Sequence, residues 1–100
     1  MSLSGPPLAR PVDLFDLLGR RWALRILWEL RDGPLKFRAL REACGGMSPT
    51  VLNSRLRELR EADILVSTPD GYELTEAGRQ LYAALGPVHQ WAEDWSERLG

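Results

Sequence analysis

Within residues 37–59, FRALREACGGMSPTVLNSRLREL, two amphipathic repeats are separated by a sharp interruption. Phe37, Leu40 and Ala43 or Cys44 recur at helical spacing, Gly45-Gly46 stops that repeat, and Ser48-Pro49 starts another. The reasons are local. Glycine takes up the left-handed conformation that ends helices, a serine hydroxyl accepts from the free amides of a first turn, and proline at the first helical position has its φ preset. At about 100° per residue, Leu52, Leu56 and Leu59 then fall within one narrow arc, and Thr50, Asn53, Ser54 and Arg57 fall on the opposite side. The segment is constrained to two short helices joined by a tight turn, the second burying leucines and presenting a polar, arginine-bearing face.

The flanking sequence extends this unit to five helices and one hairpin. Residues 1–10 hold two prolines, a glycine and two serines, and read as a flexible lead-in to a single domain over residues 11–100. PVDLFDLLG opens with Pro11 and stops at Gly19, a short first helix. RRWALRILWELRDGP places Trp22, Ala23, Ile26, Leu27 and Leu30 at three- and four-residue spacing before the Asp32-Gly33-Pro34 stop, giving the core helix. After the polar-faced helix, ILVST and YEL flank the turn Pro69-Asp70-Gly71 and form a hairpin. Thr75 caps a long last helix, which Gly86-Pro87 is expected to bend. The fold class is therefore mainly α with a small β-hairpin.

Composition excludes several functions. With 44% hydrophobic and 27% charged residues and no run near the roughly 18 apolar residues of a membrane span, the 100-residue chain reads as one compact cytoplasmic domain. One cysteine and one histidine leave neither a disulfide framework nor a metal cage to build. The sequence has no Ser/His/Asp grouping and no glycine-rich phosphate loop, so neither enzymatic activity nor a cofactor is expected. Charge is unevenly placed. Through residue 60 eleven basic residues face six acidic ones, a net of +5; beyond it two face eight, a net of −6. Such bipolarity suits a nucleic-acid surface backed by an acidic body.

The polar face of the fourth helix fits that purpose. Asparagine can grip adenine bidentately, arginine can grip guanine or a phosphate, and threonine or serine can do either, so Thr50, Asn53, Ser54 and Arg57 are the candidates to read duplex DNA. Arg55 on the flank, with Lys36, Arg38 and Arg41 near the preceding helix, would position the protein on the backbone. Glu58 and Glu61 lie further along, away from phosphate.

The run DLLGRRWALRILWELRDGPLKFRALREACGGMSPTVLNSRLRELREADIL, followed by YELTEAG, resembles the winged helix-turn-helix transcription regulators of the HxlR type. The likeness covers about residues 11 to 98. It implies a winged-helix fold, with the hairpin as wing, and a dimeric DNA-binding regulator, commonly a repressor, whose terminal helices make the dimer. Three positions depart from the family pattern. Ala9 or Arg10 stands where many members carry a cysteine that senses aldehydes, quinones or oxidants, which excludes thiol sensing there; Cys44 is expected to be a small buried residue instead. The wing is short and its tip carries Asp70 and no base, so no phosphate contact is expected from it. Ile64 stands where the family usually has glycine after the recognition helix, and a β-branched residue resists the left-handed conformation, so that helix end must close differently.

On the last helix Leu81, Leu85, Val88, Trp91, Trp95 and Leu99 follow helical spacing. Leu85, Val88, Trp91 and Trp95 are expected to form the homodimer contact, because a terminal helix of a small domain needs somewhere to bury its apolar face. Trp22 is read as core, and Trp28 as either core or interface. The expected function is that of a homodimeric repressor on a two-fold-symmetric, double-stranded operator, with room for a small-molecule effector of unidentified chemistry. The alternative is a winged-helix protein-interaction module that has lost DNA binding, favoured by the pI of 5.8 and the reduced wing.

Overall fold

The computed structural model describes residues 10–100, so the lead-in, apart from Arg10, lies outside the described residues. Helices α1 (Pro11–Leu18), α2 (Ala23–Glu29), α3 (Phe37–Ala43) and α4 (Pro49–Glu61) precede the antiparallel pair β1 (Leu65–Thr68) and β2 (Gly71–Leu74), and α5 (Glu76–Leu99) closes the chain. Five helices and one hairpin are the elements expected from the periodicity. The core sits where α2, α3 and α4 meet the base of the hairpin: Ile26, Leu27, Leu30, Leu40, Leu52, Leu56, Leu59, Leu65 and Leu74 are all buried. Each such side chain contributes roughly 1.5–3 kcal/mol by leaving water.

One boundary differs from expectation. Helix α2 begins at Ala23, because Trp22 adopts the left-handed conformation, φ 79°, in the cap position. That geometry is costly for a bulky residue and is held by tertiary packing: the Trp22 ring lies partly buried against the core, with the Arg21 guanidinium 5.5 Å from its centroid. Helix α5 is continuous through Pro87, the place of the expected bend. The proline removes a single amide donor, and the neighbouring turns keep theirs.

The end of α4 answers the problem posed by Ile64. The left-handed residue is Asp63, φ 62°, one position earlier. The Ile64 amide donates to the Leu59 carbonyl at 2.9 Å and the Asp63 amide to Arg60 at 3.0 Å, the paired bonds of a Schellman cap. Aspartate tolerates this conformation better than most residues, and Ile64 is thereby free to bury its side chain beside Leu59.

The chain after the hairpin is then clasped to that cap. The Thr75 amide donates to the Ile64 carbonyl at 3.0 Å, its hydroxyl donates to the Asp63 carbonyl at 2.6 Å, and the same oxygen accepts from the Gly78 amide at 2.9 Å. Gly78 is buried so tightly that a Cβ there would stand 2.0 Å from the Ile64 carbonyl oxygen. The hairpin gains a further support, since Leu35 and Tyr72 exchange backbone bonds at 3.0 and 2.8 Å and so add a one-residue third strand.

Gly78→Ala should therefore cost about 3 kcal/mol, lowering the melting temperature by roughly 15 °C, because a backbone carbonyl and not a flexible side chain must move. Ala77→Gly on the exposed neighbour should cost no more than about 1 kcal/mol. Thermal unfolding followed by circular dichroism checks both, and a Gly78→Ala melt within about 3 °C of wild type would refute the clasp.

Candidate nucleic-acid interface

The turn between α3 and α4 is built by Gly45 and Gly46, with φ of 79° and 75°. Their amides close α3 on the Glu42 and Arg41 carbonyls, both at 2.9 Å, a second Schellman cap. Met47 is buried, and four residues into the next helix Leu52 joins the same cluster, an arrangement that fixes the entry angle of α4. The Ser48 hydroxyl accepts from the Val51 amide at 3.4 Å, with Pro49 following as expected.

On α4 the leucine arc is buried, and Thr50, Asn53 and Arg57 are exposed together on the opposite side, with Ser54 half-buried at its edge. Arg57 makes no ion pair among the described residues, so its guanidinium is available to an external acceptor. Lys36, which caps α3, and Arg38 on its first turn are also exposed.

The structure uses two of the eight candidate residues internally. Arg41 donates from Nε to the Met47 carbonyl at 2.7 Å and braces the turn. Arg55 donates from Nε to the Arg21 carbonyl at 3.1 Å and pairs through Nη1 with Glu58, tying α4 to the loop between α1 and α2. Glu58 is also 3.8 Å from the Arg20 guanidinium, so its charge is compensated from two sides. This loop places Arg20 and Arg21 beside α4, although neither was among the residues singled out from sequence. The Arg-Arg doublet before Trp22 was the available signal.

The wing is as short as the sequence implied. Strands β1 and β2 are joined through Pro69 and Asp70, with Asp70 exposed, its amide donating to the Thr68 hydroxyl at 3.1 Å. Cys44 is buried at the end of α3, and burial, reinforced by Glu29, pushes its thiol above the ordinary range, while Arg25 pulls in the other direction.

Taken together, two helices meeting at a glycine turn, with a polar helix face beside a two-stranded wing, are matched over residues 17–99 by the family model for HxlR-like helix-turn-helix proteins. The chain belongs to the HxlR-like family. It is a DNA-binding transcriptional regulator of the helix-turn-helix class. Among its relatives, the regulator YodB of Bacillus subtilis is 37% identical over 90 residues, 83% of this chain and 80% of YodB. The uncharacterized regulator YvaP of the same organism is 33% identical over 87 residues, 80% of this chain and 81% of YvaP. The crystal structure of quinone-bound YodB superposes with a TM-score of 0.72 at 34% identity, covering 87% of this chain and 94% of that one. A protein from Thermoplasma volcanium described as a possible HxlR family transcriptional factor shares the fold, with a TM-score of 0.77 at 24% identity over 88% of this chain and 86% of that one. Family and relatives are regulators and not enzymes. Among the described residues no helix is long and apolar enough to cross a membrane, and no acidic, histidine or cysteine cluster could hold a metal ion.

The burial of Cys44 is open to a direct check. Cys44 should resist a water-soluble thiol reagent in the native state and react at once in denaturant, and native labelling at the unfolded rate would overturn the assignment. Because the folded thiol holds its proton more tightly, its contribution to stability should be flat through neutral pH and fall as pH rises past about 9, where the unfolded thiol ionises first.

Proposed function

We propose that the protein is a homodimeric repressor that occupies a two-fold-symmetric operator in the cytoplasm, reading bases with α4 and pairing through α5. The observation that carries the reading is the coincidence of two uncovered surfaces. One is the polar face of Thr50, Asn53 and Arg57 on a rigidly capped helix. The other is the apolar second half of α5, where Val88, Trp91 and Leu99 are 59%, 60% and 70% exposed in a single chain. Leu81 and Leu85 of the same stripe pack against the chain's own core, so the stripe divides into an internal half and an uncovered half. Phe15 of α1 is likewise 66% exposed, which makes a contact between the terminal helices of two chains the economical cover.

Thr50, Asn53, Ser54 and Arg57 are proposed to touch bases or adjoining phosphates, with Lys36 and Arg38 on the backbone. Arg41 and Arg55 hold α4 in place. The quinone bound to YodB supports control of this chain by a small molecule as well.

Selection of bound fragments from random duplex DNA tests the whole reading, and a consensus without two-fold symmetry would count against the dimer. On the recovered site, Arg57→Ala should weaken binding by about 1–3 kcal/mol at one base position, or flatten the salt slope by about one unit if the contact is to phosphate. Unchanged affinity and slope would remove Arg57 from the interface.

Trp95→Glu would place a charge in the proposed α5 contact, costing several kcal/mol there if fully buried. The variant is expected to sediment as a monomer and to lose operator binding with every α4 side chain intact. A wild-type dimer with wild-type affinity would move dimerisation elsewhere.

A further inference from the structure

The corner between α1 and α2 has a composition that neither the wing nor the α3 region shares. A concavity of about 450 Å³ opens there, lined by Arg20, Arg21 and Arg25 together with Leu18, Gly19 and Trp22, and by no acidic side chain. Two of the three guanidinium groups are partly neutralised from outside the concavity, Arg20 by Glu58 at 3.8 Å and Arg25 by Glu29 at 2.7 Å. Arg21 has no acidic partner among the described residues; it is exposed and rests over the Trp22 ring. A guanidinium held over an indole face at 5.5 Å keeps its edge donors free for an oxyanion.

The corner is also held at a fixed distance from the DNA-reading helix. Arg55 sits on the flank of α4 and donates to the Arg21 carbonyl at 3.1 Å, while its other arm engages Glu58. The left-handed backbone of Trp22 sets the loop's course from the other side. With Arg20 and Arg25 partly neutralised, Arg21 carries the uncompensated charge of the concavity, and a rigid tie to a helix lying in a groove presents that charge to the strand bordering the groove.

We propose that the Arg20–Arg21 corner is a phosphodiester-binding site, with Arg21 contacting the operator backbone beside the segment read by α4. The site takes phosphate without regard to base, and Arg55 acts as the positioning residue that keeps it in register with the recognition face. This rests on the placement of α4 against DNA proposed above.

The test measures affinity of the full chain against salt on two labelled duplexes, one recovered by selection and one unrelated. Arg21→Ala keeps the carbonyl that Arg55 uses and should lower the slope of log affinity against log salt by about 0.9 on both duplexes, leaving the selected consensus unchanged. Between 50 and 200 mM salt the loss of affinity then shrinks by roughly three- to four-fold. Arg21→Lys should restore most of the slope, and Arg79→Ala on α5 should leave it at the wild-type value. A wild-type slope in Arg21→Ala, or an equal fall in Arg79→Ala, overturns the corner site while leaving the α4 reading intact. Absence of salt-dependent binding by the wild-type chain overturns both.

Discussion

The Ile64 carbonyl is the point on which the rest of the architecture depends. It receives the Thr75 amide, and Gly78 packs against it at a distance no side chain could share. Through this contact the end of the recognition helix, the base of the wing and the start of α5 are held as one body. Without it, the end of α4 would be untied from α5, and the hairpin, a pair of four-residue strands that is marginal in water by itself, would keep only its Leu35–Tyr72 bridge and its buried leucines as support. The TEAG tetrapeptide after the wing thus has a physical account: a hydroxyl that both donates and accepts, and a glycine where two backbones meet.

The recognition helix is fixed at its other end and along its side by different chemistry. Its start is set by two left-handed glycines, the buried Met47 and the Ser48 cap, and its flank by the Arg55 bridge to the α1–α2 loop. Rigidity at three places matters for a reader of base edges, since displacement of the helix would move every side chain of its polar face together. Arg41 and Arg55, two of the candidate DNA contacts, also secure the helix that carries Thr50, Asn53 and Arg57.

Where the sequence was punctuated it was legible. Gly-Gly, Ser-Pro, Asp-Gly-Pro and Pro-Asp-Gly mark their boundaries by backbone chemistry that acts within a few residues, and the leucine arc of α4 follows from helical geometry alone. The exceptions share a cause. Trp22 takes a left-handed backbone because the surrounding packing holds its ring, and no local preference announces it. Asp63 and not Ile64 closes α4, because the buried site beside Leu59 claims the isoleucine. Arg55 and Arg57 are two residues apart and alike in chemistry, but the acceptor that captures Arg55 is the carbonyl of Arg21, 34 positions earlier in the chain. Periodicity places Arg57 on the open side and Arg55 on the flank of α4; it does not tell which distant group a flanking side chain has found.

The division of α5 carries a consequence for its own order. Its first half lies on the core through Leu81, Tyr82 and Leu85, whereas the residues from Val88 to Leu99 are exposed, tied to the body by the His89 ring stacked on Trp28 and to one another by helical bonds, the stacked Trp91–Trp95 pair and the contact of His89 with Glu93. A helical stretch of that length is close to the coil boundary in water. Amide protons there should exchange quickly in a dilute single chain and slowly once the apolar side is covered, so the last three turns act as a built-in gauge of how much of the protein has found its cover.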